Sequence, residues 1–169
     1  MLLALVMKRR VTPGRVGIGV VVVVASWYGM MATHELGHVA GAVVTGGIVQ
    51  RVEFPLVGFS RTVVEPSPRP MVEVWMGPIV GAVLPMVMMI VCGQRGVMRA
   101  IVRFFAGFCL IANGAYLGVG VFLRAGDAGD LVMLGAASWM LVVVGALAMS
   151  AGLWMWHRAT ANDTERAGV

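Results

Sequence analysis

The chain has 169 residues, of which 59% are hydrophobic and only 12% are charged, and its mean hydropathy is +0.89. Soluble domains contain roughly 45–50% apolar residues, so this composition excludes a water-soluble globule and predicts an integral membrane protein. The net charge of +5 does not indicate nucleic-acid binding, because the basic residues lie at the ends of apolar segments, where membrane topology explains them.

Four segments are long and apolar enough to cross a bilayer, which takes about 20 residues. The sequence therefore predicts an all-α polytopic membrane protein with about four transmembrane helices. We expect a single intramembrane domain over residues 16–157, after a basic N-terminus at 1–15 and before a short, frayed polar tail at 158–169. The four predicted spans are, in chain order, 16–44, 71–92, 97–123 and 136–157.

The first span carries the motif His34-Glu35-Leu36-Gly37-His38 in its second half. Ionisable residues are costly at membrane depth and by default indicate a functional site. Residues four apart share one face of a helix, so His34 and His38 can bind one zinc ion. Glu35 can then reach a water molecule on that ion, take its proton and deliver it to a leaving amine. The H-E-x-x-H spacing thus predicts a zinc hydrolase with one Zn²⁺ per chain.

The connection between the first two spans, residues 46–70, is predicted to form a short β-hairpin. Val52, Phe54 and Leu56 alternate with polar or proline residues, and a second run follows Gly58. Glycines and prolines lie at the ends of both runs, as is typical of a hairpin. An exposed strand edge beside the zinc site could hold an extended peptide by strand addition, so Val52 and Phe54 are candidate substrate-presenting residues. A simple lid or connector is an equally good interpretation.

A hydrolytic zinc site needs a third protein ligand. In the extended motif H-E-x-x-H-x-x-G-x-x-H the last histidine is the third ligand, but this chain has Val44 at that position. The third ligand must therefore come from elsewhere in the chain. The turn after the third span returns to the membrane face of the motif and offers Asp127 and Asp130. An aspartate, together with ionised Glu35, would also balance the charge of Zn²⁺. Asp130 suits a helix N-cap, so we favour Asp127 and keep Asp130 as the alternative.

Three other polar residues have simpler interpretations. Asn113, midway along the third span, is expected to make an interhelical hydrogen bond, with orientation of a ligand or a substrate carbonyl as the alternative. His157 fits a helix C-terminus, and Glu73 fits a solvated charge at the start of a helix.

These residues resemble the site-2 protease family of intramembrane zinc metalloproteases. The motif segment 34–42 is closely similar, and Gly77-Pro78-Ile79-Val80-Gly81 looks like the Gly-Pro-small segment of that family. Gly126-Asp127-Ala128-Gly129 sits where the family has an Asp-Gly element, although Asn113 lies further upstream than the family's asparagine and lacks its proline. The resemblance covers residues 16–131.

The resemblance implies a zinc endopeptidase that cleaves a membrane-anchored protein in or near its transmembrane segment, as in regulated intramembrane proteolysis. It maps the third zinc ligand onto Asp127, and implies release of a signalling or transcription-related fragment. The expected partners are the substrate protein and the lipid bilayer, with no nucleic acid. The alternative is a membrane zinc-binding or transport protein that uses His34, His38 and an aspartate and has no need of Glu35 as a base.

The basic residues predict the orientation of the spans. Cytoplasmic loops carry an excess of lysine and arginine, which places both termini and the turn between the second and third spans in the cytoplasm. The residues that carry this prediction are Lys8, Arg9, Arg10, Arg15, Arg95, Arg99, Arg103, Arg158 and Arg166.

Overall fold

The computed structural model describes residues 13–92 and 96–166, and within them it contains five helices and one two-stranded sheet. The four long helices each contain an apolar stretch able to span a membrane. The chain is therefore a multi-pass integral membrane protein, and the predicted fold class is confirmed. The elements are α1 (Pro13–Thr45), β1 (Val49–Glu53), β2 (Arg61–Val64), α2 (Pro70–Cys92), α3 (Gly96–Leu123), α4 (Gly126–Met133) and α5 (Ser138–Arg166).

Two element boundaries differ from those expected. The turn between the third and fourth spans contains the helix α4, whose N-cap is Ala125, so Asp130 lies inside a helix rather than at its cap. The last helix, α5, continues to Arg166, because the chain has no glycine or proline between His157 and that point to end it. His157 therefore does not lie at a helix C-terminus.

Each long helix packs against the next long helix along the chain, and this arrangement leaves a gap between α1 and α3. α1 packs along α2, α2 along α3, and α3 along α5, whereas α1 and α3 make only a brief contact. The short helix α4 is held against this assembly by Leu131, which is fully buried with Leu117 of α3 and Leu141 of α5. This packing fixes α4 at the end of α3, on the same side of the molecule as the gap.

The predicted hairpin is present, but it is shorter than expected and folds back along α1. β1 and β2 are antiparallel, and β1 ends at Glu53. Phe54 and Leu56, which the alternation placed in a strand, lie in the connection, since Pro55 cannot donate to a ladder. The Tyr28 hydroxyl donates to the Leu56 carbonyl at 2.9 Å.

The hairpin tip consequently lies beside an apolar helix. Tyr28 precedes the end of α1 by about 25 Å along the helix axis, well inside the candidate span Val16–Thr45. At the tip, Leu56 and Val57 are 88% and 92% exposed. Side chains of this kind suit contact with lipid rather than water.

Candidate metal centre

The two histidines of the motif lie together on one face of α1, as their spacing predicts. Their rings meet edge to face at 4.9 Å, and their Nε2 atoms are 3.1 Å apart. His34, His38 and the intervening Glu35 are all buried. Because His38 precedes the end of α1 by about 10 Å, this cluster lies inside the apolar span.

Glycines on α1 and α2 let the two helices approach closely at the histidines. A Cβ atom at Gly77 of α2 would lie 2.9 Å from His34 Nε2 and would overlap the His38 ring. On α1, a Cβ atom at Gly37 would overlap the backbone carbonyl of Met76. Each helix therefore needs a glycine where the other helix and its side chains pass, and the histidine rings occupy the space that Gly77 leaves.

The outer ring nitrogen of each histidine is held by an oxygen atom. His34 Nδ1 lies 2.7 Å from Asn113 Oδ1, and His38 Nδ1 lies 2.9 Å from the backbone carbonyl of Glu73. The Asn113 amide nitrogen in turn donates to the Cys109 carbonyl at 2.9 Å, which leaves its oxygen for His34. A ring nitrogen facing such an oxygen carries the proton, so both Nε2 atoms are left to face the centre. Ligand histidines of metal sites are commonly held in this way.

The helix α4 brings Asp127 to the same point. Asp127 Oδ2 lies 2.8 Å from His34 Nε2 and 3.3 Å from His38 Nε2. In a tetrahedral zinc site with bonds of about 2.0–2.1 Å, ligand atoms are about 3.3 Å apart. The observed spacings of 2.8, 3.1 and 3.3 Å are slightly contracted from that value, and the three donor atoms fit a zinc ion.

A second group of possible ligands is looser. The ligand atoms of His34, Glu35 and His38 lie within 4.8 Å of one another, compared with 3.3 Å for the group that contains Asp127. The tighter group also leaves Glu35 beside the centre instead of in it. We therefore assign the candidate ligand set to His34, His38 and Asp127.

The two aspartates that the sequence offered are in different surroundings. Burial alone would raise the pKa of the Asp127 carboxyl, but its close contacts with the His34 and His38 rings hold that pKa well below its usual range. Asp130 is largely exposed, and its partial burial and the charge of Asp127 raise its pKa. Asp127 is thus the ionised carboxylate at the histidines, whereas Asp130 lies at the surface of α4.

Glu35 contacts the hairpin. It is only 3% exposed, and its Oε2 accepts a hydrogen bond from the Thr62 hydroxyl at 2.5 Å. Thr62 lies in β2 directly opposite Val52 of β1. The hairpin is therefore placed beside the candidate base, with Val52 one strand away from it and the half-exposed Phe54 just after β1.

A cavity of about 410 Å³ adjoins the centre between α1, α3 and the hairpin tip, and His34 and Glu35 form part of its wall. Tyr116 of α3 lies at the junction of cavity and centre. Its ring meets His34 edge on at 5.8 Å and stacks on Phe59 of the hairpin tip at 5.4 Å. A molecule bound at the centre can therefore extend into the cavity.

Sequence reasoning missed three residues of this site. Glu73 is 4% exposed, and the hydroxyls of Thr45 and Ser67 lie 2.8 and 2.5 Å from its two carboxylate oxygens, so the prediction of a solvated charge is wrong. Tyr116 follows Asn113 by one helical turn, a spacing that could have indicated it. Thr62 depends on the register of the hairpin, which alternation does not specify.

Comparison of the chain with protein-family models, with curated proteins and with solved structures finds no match. The resemblance to site-2 proteases therefore rests on the sequence motifs alone.

Proposed function

We propose that this chain is an intramembrane zinc endopeptidase that hydrolyses a peptide bond in or near the transmembrane segment of a membrane-anchored protein. The observation that carries the proposal is the convergence of His34 Nε2, His38 Nε2 and Asp127 Oδ2 within 3.3 Å of one another. Two imidazoles and one carboxylate are a donor set of catalytic zinc sites, which keep a further position open. Glu35 lies beside this set, inside an apolar helix.

The residues of the site suit amide hydrolysis. Zinc, when bound, supplies Lewis-acid activation of a water molecule and of the substrate carbonyl. Glu35 accepts the proton of the attacking water and later delivers it to the leaving amine. Thr62 holds one Glu35 oxygen in place, while Asn113 and the Glu73 carbonyl keep the histidine Nε2 atoms directed inward. The charges of Zn²⁺, Glu35 and Asp127 sum to zero, which makes burial of the site tolerable.

The deciding experiment compares wild type with Glu35→Gln. We expect about one zinc ion per chain in both purified proteins, and a loss of about 10²–10⁴-fold in cleavage of a transmembrane reporter by the variant. Zinc content is measured by mass spectrometry and cleavage by gel. A wild type without zinc contradicts the proposal. Zinc-dependent ion flux without cleavage supports the alternative, a zinc transport protein.

The third ligand is tested in the same preparation. We expect Asp127→Asn to lose most of its zinc, because an amide is a weaker ligand than a carboxylate and the charge balance is broken. Asp130→Asn is the matched control and keeps its zinc, since Asp130 lies on the exposed side of α4. Loss of zinc from Asp130→Asn, with zinc retained in Asp127→Asn, would identify Asp130 as the third ligand instead.

The hairpin is proposed to present the substrate as an added strand, since a peptide must be extended for its amide to reach the site. Val52 lies in β1 opposite Thr62, the residue that binds Glu35. We expect Val52→Pro to abolish cleavage with zinc retained, and Val52→Ala to keep both. Unchanged cleavage by the proline variant would leave the hairpin as a lid or connector.

The orientation with both termini in the cytoplasm is also proposed. Among the described residues it is supported by Arg15 near the start of α1, by Arg99 and Arg103 at the start of α3 and by Arg158 and Arg166 in α5. The other residues of that prediction, Lys8, Arg9, Arg10 and Arg95, lie outside the described residues. Reporter fusions at each terminus test it, and reporter activity on the extracytoplasmic side would reverse it.

A further inference from the structure

The cavity beside the metal centre has a size and position that the hydrolytic chemistry alone does not require. Its volume of about 410 Å³ falls within the range of roughly 300–1,000 Å³ of ligand-binding pockets. Because His34 and Glu35 are part of its wall, a group inside it lies directly next to the reacting atoms. The occupant is therefore expected to belong to the molecule that reacts.

Apart from Asn113 and Ser60, the remaining wall consists of apolar and aromatic residues and glycine, and it favours apolar groups. α1 contributes Trp27 and Met30, and one stripe of α3 contributes Ala115, Tyr116 and Val119. A charged side chain placed here would lose its hydration without gaining a partner of opposite charge from these residues, which is costly. A large apolar side chain gains free energy in proportion to the area that it buries.

An aromatic side chain of the protein itself already lies at the rim. Phe59 stacks on Tyr116 with ring centroids 5.4 Å apart and tilts against Trp27 at 5.8 Å. Phe59 remains 63% exposed, so it covers the rim and does not fill the cavity. Trp27 and Tyr116 of the wall thus already contact one phenyl ring, that of Phe59, at spacings typical of favourable aromatic pairs.

We propose that this cavity is the specificity subsite for a large apolar side chain, aromatic above all, of a substrate residue that flanks the scissile bond. Ala115 contributes a small side chain to the α3 wall, so a larger side chain at this position would narrow the cavity. The inference rests on the proposed endopeptidase function and adds the class of residue at which cleavage occurs.

The test uses zinc-chelating hydroxamates in place of a substrate. One pair, the hydroxamates of N-acetylphenylalanine and N-acetylalanine, places its side chain on one side of the metal. A second pair, 2-benzyl- and 2-methylsuccinyl hydroxamates, places it on the other. Calorimetric titration of zinc-loaded wild type should give, in at least one pair, about tenfold or greater preference for the benzyl compound, since it buries more apolar area.

The variant Ala115→Leu should remove this preference while the affinity for the methyl compound and the zinc content stay unchanged. Ala100→Leu is the matched control: it adds the same side chain on an exposed part of α3 and keeps the preference. Val119→Phe, on the same wall, replaces Ala115→Leu if that variant does not fold, and should likewise lower the preference.

The outcomes separate the inference from the proposed function. Equal affinity of wild type for the two members of both pairs overturns the subsite. A benzyl preference that Ala115→Leu and Val119→Phe leave unchanged also overturns it, because such a preference would reflect partition of the compounds into detergent or lipid. Absence of bound zinc, with no hydroxamate binding at all, contradicts the endopeptidase proposal itself, and the subsite with it.

Discussion

Among the described residues, two of the helix contacts that glycine makes close serve different purposes. Where α1 meets α2, Gly77 lies opposite His34 and His38, and a Cβ atom there would enter the space between the rings. Where α3 meets α5, a Cβ atom at Gly145 would lie 2.5 Å from the Gly114 carbonyl oxygen and 2.7 Å from the Gly118 nitrogen. The first contact leaves room for side-chain chemistry, whereas the second brings backbone against backbone.

The difference shows what small residues in a membrane helix can and cannot indicate. Small residues allow helices to approach, and packing then stabilises the contact. Both contacts satisfy that rule, but only the α1–α2 contact has ionisable residues next to the glycine. The function of a close approach is therefore decided by the residues beside the glycine.

The largest expected effect comes from Gly77→Ala. The added methyl group would overlap the His38 ring and lie 2.9 Å from His34 Nε2, so the two ligands cannot keep their positions. We expect zinc content to fall from about one ion per chain to near zero. Gly19→Ala is the control, since nothing lies within 4 Å of a Cβ atom there. Full zinc content in Gly77→Ala would show that the rings do not need this space.

The next effect concerns Asn113, which faces the metal centre from α3 while its neighbour Gly114 faces α5. Replacing Asn113 with alanine removes the acceptor for His34 Nδ1, and loss of such a partner typically weakens metal binding about 10–100-fold. Asn113→Asp keeps an acceptor oxygen and should stay closer to wild type. Competition with a zinc chelator measures both. Equal affinity of Asn113→Ala and wild type would contradict the orienting role.

At the other contact, Gly145→Ala should change stability and not zinc binding. The methyl group meets the backbone of α3, which cannot move aside as a side chain can, and such overpacking costs about 1–3 kcal/mol. Gly118→Ala is the matched control, because its nearest atom, Gly145 Cα, is 3.8 Å away. Denaturation in mixed detergents gives the stability. A Gly145→Ala variant that folds but has lost its zinc would show that the two contacts are coupled.

Sequence predicted the parts of this molecule that depend on local composition. The four spans follow from runs of apolar residues, and the pairing of His34 with His38 follows from helical periodicity. Topology and charge indicate an aspartate of this turn, and the preference for Asp127 rests on Asp130 suiting a helix N-cap, although the N-cap is Ala125. The approach of Asp127 to the histidines depends on α4 and on the burial of Leu131. The contact of Thr62 with Glu35 could not be predicted, because it depends on the hairpin register. The spacing of Tyr116 from Asn113 indicates its face of α3, but its stacking on Phe59 depends on how the hairpin tip folds along α1.

The smallest expected effect tests how the α1–α2 contact is held at its end. The Glu73 carboxylate lies near the hydroxyls of Thr45 at the end of α1 and Ser67 before α2, while its backbone carbonyl binds His38. Glu73→Gln keeps that carbonyl but weakens the hydrogen bonds of the side chain. We expect a loss of about 1 kcal/mol in stability and a decrease in zinc affinity smaller than that of Asn113→Ala. The exposed Glu65 provides the control Glu65→Gln. Wild-type stability and zinc affinity in Glu73→Gln would mean that the carbonyl alone, held by the helix, is enough to orient His38.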